Sequence, residues 1–444
     1  MKWYKTLAMG TAVASMTFIA ACGGNSDEEN DTSGEDADTE ETENGEEGAS
    51  GDGEEVTITF ARGYDATGSD AQLIEKFEEE NPNIKVNYQE MPADTGQQHD
   101  QYVTAFSSGS TEIDVFDADV IWPAEFGAAG YAMELDRFIE ADGIDLDEYF
   151  PSTVEAGQVG GKQYALPKFT DAGLLYYRSD IVDEPPSTWD ELIEMAGEYQ
   201  GEEGTEYGYL MQANQYEGMV VNATEFIGAY GGQVIDENGD VVINSEESIA
   251  GLEKMAEIVN AEFVPNDILS FQETETANSY IQGSSVFARN WPYMQAMTSD
   301  EEESDVVDNV EFTTLPEGDA GSAAGLGGWM AMISANTEHP EESWEFVKFM
   351  SSEESQKFTA TEGGRAPTRE ALYDDEEVKE ASPIFANEDF VETLQNAVPR
   401  PVSPIYPEIS DIMQVEISKV LSGDISAEEA VQNMEEDMNA AMED

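Results

Sequence analysis

The stretch "VTITFARGYDATGSDAQLIEKFEEENPNIKVNYQEM", Val56 to Met91, changes period twice within 36 residues. "VTITF" is β-branched and alternating, as a short strand requires. "DAQLIEKFEEENP" places Leu73, Ile74 and Phe77 on one helical face and stops at Pro82, which cannot continue a helix. "IKVNYQEM" is strand-like again. Immediately downstream "HDQYVTAFSSG" reads as a helix and "IDVFDADV" as a buried strand. Strand, helix, strand, helix, strand in about 65 residues predicts right-handed crossovers and a parallel sheet covered by helices. In such sheets ligands sit at the carboxyl ends of the strands.

The pattern restarts after "YALPKFTDAGLLYYR". "STWDELIEMAGEY", with Thr188 and Glu191 spaced as a capping box, "EESIAGLEKMAEIVN", and "SAEEAVQNMEEDMNAAM", with Ser426 and Glu429 in the same arrangement, predict helices. "YGYLM", "GDVVIN", "VEFTTLP" and "GGWMAMI" predict strands between them. A chain of 444 residues exceeds one ordinary core, and no internal repeat appears, so the expectation is an α/β protein of two lobes.

With 97 Asp and Glu against 18 Lys and Arg, the net charge is −79. That charge repels nucleic acid and anionic membrane surfaces, both polyanions, and disfavours them as direct partners of the body. Residues 23–55 carry fifteen acids and no base, yet without residues 1–55 the chain still has 82 acidic and 16 basic side chains. The acidity belongs to the folded body and suits a solvated surface in high salt. Cys22 is the only cysteine, so no intramolecular disulfide or thiolate cluster can form. Two histidines, His99 and His339, are too few for a histidine metal site and are expected at the surface. No metal or cofactor is expected.

Met1–Lys5 is a short basic stretch, and 6–21 is apolar but too short to span a bilayer comfortably, which reads as an export signal. Its end, "FIAAC" followed by "GGNSDEEN", resembles a bacterial lipoprotein cleavage box. That likeness implies a signal at 1–21 and a lipidated Cys22 anchoring the chain to the membrane. The tract at 22–55, poor in apolar residues and self-repelling, is expected to be an extended tether.

There is no GxSxG elbow, HExxH or phosphate loop, and among 97 acids no catalytic pair stands out by spacing. Aromatic and carboxylate residues do gather at expected strand ends: Asp119 and Trp122, Asp171, Trp291 and Tyr293 in "FARNWPYM", and Trp329 in "LGGWM". Sugars call for that mixture. Their axial-hydrogen faces pack on aromatic rings, and their hydroxyls suit an ionised Asp or a planar Arg.

"DVFDADVIWPAEFGAAGYAMELDRFI", "GGKQYALPKFTDAGLLYYRSDI", "PPSTWDEL", "QYEGMV", "FARNWPYM", "LGGWMAMIS", "SWEFVKFM" and "NAVPRPVSPIYPEISDI", in that order, resemble the extracellular solute-binding proteins of ABC transporters, most of all the trehalose/maltose-binding branch. The resemblance runs from about Val56 to the C-terminus. It implies a periplasmic-binding-protein-like fold with a ligand cleft at a hinge of several crossings, near Pro167–Thr170, Thr314–Pro316 and Thr359–Glu362. The N-terminal lobe would comprise 56–168 and 315–360, the C-terminal lobe 169–314 and 361–444. The family's sugar-contacting positions match Asp119, Asp171, Trp291, Tyr293, Gly328 and Trp329, together with Arg369 or, as its rival in "GGRAPTR", Arg365. Asp119 and Asp171 would accept from hydroxyls, Trp291 and Trp329 would stack, and the arginine would donate. Tyr216 and Glu217 are further candidates, and Arg289 is expected to be a structural ion-pair partner. The chain departs from the branch at Gln98, where an arginine is expected, at Phe169, where a tyrosine is expected, and after the first strand, where either Asp65 or Asp70 could supply the acid. The implied function is a monomeric, non-catalytic receptor that hands an α-linked disaccharide to a permease. A secreted carbohydrate hydrolase and a receptor for another solute, such as a glucosylated osmolyte, are the alternatives.

Overall fold

The computed structural model describes residues 55–443 apart from 237, 238, 383 and 396; the leader, Cys22 and all of the tether but Glu55 lie outside the described residues. In chain order the strands are β1 (Val56–Arg62), β2 (Ile84–Glu90), β3 (Val115–Asp119), β4 (Gln158–Val159), β5 (Lys162–Gln163), β6 (Ala165–Ala172), β7 (Leu174–Arg178), β8 (Tyr207–Leu210), β9 (Ser285–Asn290), β10 (Val310–Thr314) and β11 (Leu326–Ile333). β4 and β5 form a small hairpin, and the others make two sheets, ordered β2-β1-β3-β11-β6 and β10-β7-β9-β8.

β1 pairs parallel with β2 and β3, with Ser69–Glu80 and Thr95–Ser107 as the crossover helices. The sheets are nevertheless mixed rather than parallel. β11 runs antiparallel to both β3 and β6, because the chain reaches it from the second sheet and enters from the opposite end. In the second sheet β7 is antiparallel to β9 and β10, and only β8 with β9 is parallel. "GDVVIN" forms no strand, only an isolated bridge between Ile235 and Val241.

The helix ends follow their sequence signals. Thr188 accepts from Glu191 N at 3.2 Å, but the returning bond of Glu191 goes to Ser187 N and Oγ, one residue further out than a capping box requires. Ser426 accepts from Glu429 N at 3.1 Å and starts Ala427–Glu443.

The first sheet buries one face on Phe60, Phe77 and Phe346, with ring centroids 5.2 and 4.9 Å apart, and the other on Tyr102, Phe106, Phe116 and Phe126. Helix Glu217–Ala229 lies buried along almost its whole length in the second core, beneath Glu246–Val259 and Tyr406–Leu421. His99, expected at the surface, stacks on Phe126 with centroids 5.4 Å apart and bonds Glu125 at 2.6 Å; an amphipathic ring gains more from that aromatic ledge than from water.

The chain passes between the sheets at Gly173, the single residue between β6 and β7, so the sequence-based boundary after Lys168 falls inside β6. Only glycine fits there: a Cβ would come 2.3 Å from Glu225 Oε1 and 2.7 Å from Arg289 Nη2. At this junction a buried cluster balances three cations, Arg62, Lys168 and Arg365, against Asp65, Asp70 and Asp117. Burial alone would push Asp65 upward, but Arg365, Arg62 and Thr67 outweigh it and hold the carboxyl at about 2. Burial brings Lys168 down to about 8 against the pull of Asp117. Such a cluster adds little net stability, but removing one member strands an opposite charge in a dry site, which holds the crossing strands in register.

Candidate ligand site

Three strands of the first sheet set one wall. Trp329 on β11 lies opposite Asp119 at the end of β3 and opposite Phe169 on β6, while Gly327 and Gly328 face Asp171 and Thr170. Cross-strand partners share a face of the sheet, so Asp119, Trp329, Phe169 and Asp171 form a rim at the strand ends. Gly328 has φ of 124°, and a Cβ there would come 2.5 Å from Phe169 O, so the close approach of β11 to β6 requires glycine.

The second lobe supplies the facing wall. β9 ends at Asn290, and the turn Trp291–Tyr293 leads into Met294–Thr298. Asn290 Oδ1 accepts from Trp291 N at 2.8 Å, and Tyr176 OH donates to Trp291 O and Pro292 O at 2.9 and 3.2 Å, so the turn is pinned from both sides. The Trp291 ring rests on the Arg289 guanidinium, 4.0 Å from the ring centroid, with its edge against Gly327, whose Cβ would come within 2.9 Å. Arg289 is itself bound by Glu225, Nε to Oε2 at 2.9 Å, and by Gln212 at 3.1 Å. It is the structural ion-pair partner expected of it, and also the cation beneath the ring.

Between the walls lies a cavity of about 170 Å³. That is roughly ten times what a single water needs, enough for a sugar-sized solute rather than an ion. Asp119, Asp171, Trp291, Tyr293, Gly328, Trp329, Phe169, Gln98 and Glu217 all line it. At its mouth the lobes touch, Gln272 Nε2 donating to Asp94 Oδ2 at 3.0 Å.

Two candidates fall elsewhere. Arg369 is turned away from the cavity: its guanidinium lies over the Tyr149 ring, donates to Tyr149 OH at 2.6 Å and Ser351 O at 3.0 Å, and pairs with Glu148. Arg365 takes the place by the cavity instead, 4.4 Å over the Phe169 ring and bonded to Asp65 at 2.8 Å. Gly364 causes the difference by ending the preceding helix with φ of 61°; Ala366 then pairs with Thr170, and four residues on the chain has reached the far side. Tyr216 sits behind the wall, donating to Glu273 Oε2 at 2.7 Å and lining a separate cavity beside Trp122 and Tyr406. Neither Asp65 nor Asp70 lines the main cavity, since both are committed to the buried cluster.

Among the lining acids, Asp171 receives no hydrogen bond from the described residues, and burial, outweighing Arg365 and Arg289, pushes its carboxyl up to about 7. Asp119 gives one oxygen to Arg400, at 2.7 Å, and to Ile121 N, at 3.4 Å, leaving the other without a protein donor; burial holds it above the usual carboxylate range despite Arg400. Both oxygens of Glu217 are taken, by Arg400 and Tyr406 at 2.6 Å and by Ser410. Gln98 donates to Tyr102 OH at 3.1 Å and keeps a buried, unpaired Oε1. The cavity therefore offers aromatic faces and spare acceptors, with each of its guanidiniums, Arg62, Arg365 and Arg400, already paired to carboxylates. Such a site suits a neutral, hydroxyl-rich ligand better than an anion. Sequence reasoning missed Arg400 and Glu273, which lines the cavity and accepts from Trp291 Nε1 at 3.4 Å; the one local signal for Arg400 was its position between Pro399 and Pro401 in a chain poor in cations.

Residues 65–357 match the model of the bacterial extracellular solute-binding proteins. The chain belongs to that family. This solute-binding protein is 31% identical over 386 residues, 83% of its own length and 89% of the relative's, to a probable ABC transporter-binding protein of Deinococcus radiodurans. It is 25% identical over 333 residues to the maltotriose-binding protein of Pyrococcus abyssi, covering 71% of this chain and 69% of that one. Among solved structures, maltose-bound MalE3 of T. maritima superposes with a TM-score of 0.82 at 35% identity, over 87% of this chain and all of that one. The GacH receptor of Streptomyces glaucescens GLA.O, at 24% identity and a TM-score of 0.79, covers 88% of this chain and 99% of that one, and shares the fold. The solute-binding protein thus has the two-lobed maltose-binding architecture, is maltose-binding-like, and acts with an ABC transporter outside the cytoplasm, in a family of binding proteins rather than enzymes.

Proposed function

We propose that this solute-binding protein captures an α-linked disaccharide of the trehalose or maltose type by closing its lobes on the sugar, and delivers it to a membrane permease. The observation that carries the reading is the pairing of the Trp291 and Trp329 rings with the unpartnered Asp171 carboxylate in one cavity whose cations are already neutralised. Ring faces take the apolar side of a pyranose, and acceptors without protein donors take its hydroxyls. The maltose named for the 35% identical T. maritima structure supports the same class of ligand. Lobe closure would be a hinge motion about Gly173 and the other crossings, sequestering the sugar and presenting both lobes to the permease.

A thermal-shift panel of mono- and disaccharides at high salt tests the proposal, because a ligand that binds only the native state raises the melting temperature. Trehalose or maltose is expected to give the largest rise, and intact sugar should be recovered from the complex. A flat response to every sugar would sink the reading, and cleaved sugar would replace it with a hydrolase. Cys22 is proposed to carry the lipid anchor of a monomeric receptor. Cys22→Ser should move the protein from the membrane to the soluble fraction, and continued membrane association would refute the anchor.

A further inference from the structure

Glu273 begins the helix Glu273–Ile281, is half-buried and lines the cavity. Its carboxylate is shared between two aromatic side chains. Oε1 accepts from Trp291 Nε1 at 3.4 Å, and Oε2 accepts from Tyr216 OH at 2.7 Å. Its backbone is tied to the same turn, because Asn290 Nδ2 donates to Glu273 O at 3.4 Å while Asn290 Oδ1 holds Trp291 N at 2.8 Å. Gly218, in the first turn of the helix Glu217–Ala229, makes room for the Glu273–Tyr216 pair: a Cβ there would come 2.2 Å from the Tyr216 hydroxyl and 2.8 Å from Glu273 Oε1. The residue before Glu273 is Gln272, whose bond to Asp94 joins the lobes, so the carboxylate stands close to the cavity mouth.

Resting on the sugar-capture reading, we propose that Glu273 is the positioning residue that sets the orientation of the Trp291 platform. Stacking on a pyranose is tightest when the ring is fixed before the ligand arrives, since freedom lost on binding subtracts from affinity. Three contacts fix this ring: the Arg289 guanidinium beneath one face, Gly327 at the edge of the six-membered ring, and Glu273 at the N–H edge. Packing against Arg289 and Gly327 sets the plane of the ring. The N–H bond to Glu273 is directional and sets the rotation within that plane. Indole N–H is a donor only, so an indole turned away from Glu273 would leave a donor and a carboxylate oxygen both short of a partner in the cavity wall. Tyr216, 5% exposed, holds the other oxygen and keeps the carboxylate from swinging toward the ligand. Glu273 therefore acts through the ring rather than on the sugar.

The test measures the indole N–H resonances of the ligand-free protein by nuclear magnetic resonance, with that of Trp291 assigned by its loss in Trp291→Phe, and titrates maltose and trehalose by calorimetry. In Glu273→Met the Trp291 resonance should move upfield as its hydrogen bond is lost, the other indole resonances should stay in place, and affinity should fall about tenfold. Glu273→Gln should restore both, its amide oxygen facing Trp291 and its nitrogen donating to the Tyr216 hydroxyl. In the Trp291→Phe background, which has no indole N–H, adding Glu273→Met should cost at most about twofold more. Should Glu273→Met fail to fold, Glu273→Ser, polar and too short to reach the indole, takes its place. An unmoved Trp291 resonance overturns the proposal. So does a full additional loss in the Trp291→Phe background, which would make Glu273 a direct sugar contact. If wild type binds neither sugar, the sugar reading fails, and the ligand-free resonance still decides whether Glu273 positions the ring.

Discussion

Trp291→Ala should abolish most of the sugar affinity while leaving the fold intact. The ring is a platform held in place by other groups: the Arg289 guanidinium lies under it, Gly327 meets its edge, and Tyr176 pins its backbone. Truncating a buried tryptophan anchor at a binding surface typically costs about 2–4 kcal/mol, a thirty- to thousandfold loss. Because the ring is only half-buried and the Arg289–Glu225 pair beneath it stays intact, the melting temperature should change little. Trp291→Phe, which keeps an aromatic face, should retain a large part of the affinity. Calorimetry showing the alanine variant as tight as wild type would remove Trp291 from the site.

The second large effect concerns Asp171, and its sign follows from burial. The folded carboxyl holds its proton up to about pH 7, whereas in the unfolded chain it loses it near 3.9. Between about pH 4 and pH 7 the native state therefore binds more protons than the unfolded one, so stability falls as pH rises through that window. Above pH 7 the whole penalty is present, up to about 4 kcal/mol for a shift of this size. Asp171→Asn should accordingly melt higher than wild type at pH 8, by several degrees, with the difference vanishing toward pH 4. The same substitution removes the ionised hydroxyl acceptor, so sugar binding should weaken by about 1.5–3 kcal/mol. Binding should also release protons near pH 7, since ligand hydroxyls favour the ionised form. Matching melting curves at pH 8, with unaltered affinity, would show that Asp171 carries neither cost nor contact. Stability given up at a binding site for affinity is a common pattern.

How much of this was legible beforehand depends on the range of the interaction. The run from Val56 to Val120 announced its strands and helices because side-chain period is a local property, and all five elements are present. The direction of β11 was not legible. "GGWMAMI" looks the same whichever way it enters a sheet, and only the return from the second lobe makes it antiparallel to its neighbours. Arg365 and Arg369 share one short turn, so spacing could not separate them; the left-handed Gly364 and the Ala366–Thr170 pairing did.

By itself the sequence determined the class of the molecule: an acidic α/β body with tryptophans and aspartates at its strand ends. Those features rest on residue type and on neighbours a few positions away. Only the tertiary structure decided which charges are free to meet a ligand. Asp65, Asp70 and Glu217 are carboxylates like Asp171, but Arg365 pairs with Asp65 from 300 positions away, Lys168 with Asp70 from 98, and Arg400 and Tyr406 with Glu217 from 183 and 189. Charge pairing in a dry interior is a matter of ångströms across the fold, and the order of residues along the chain does not encode it locally.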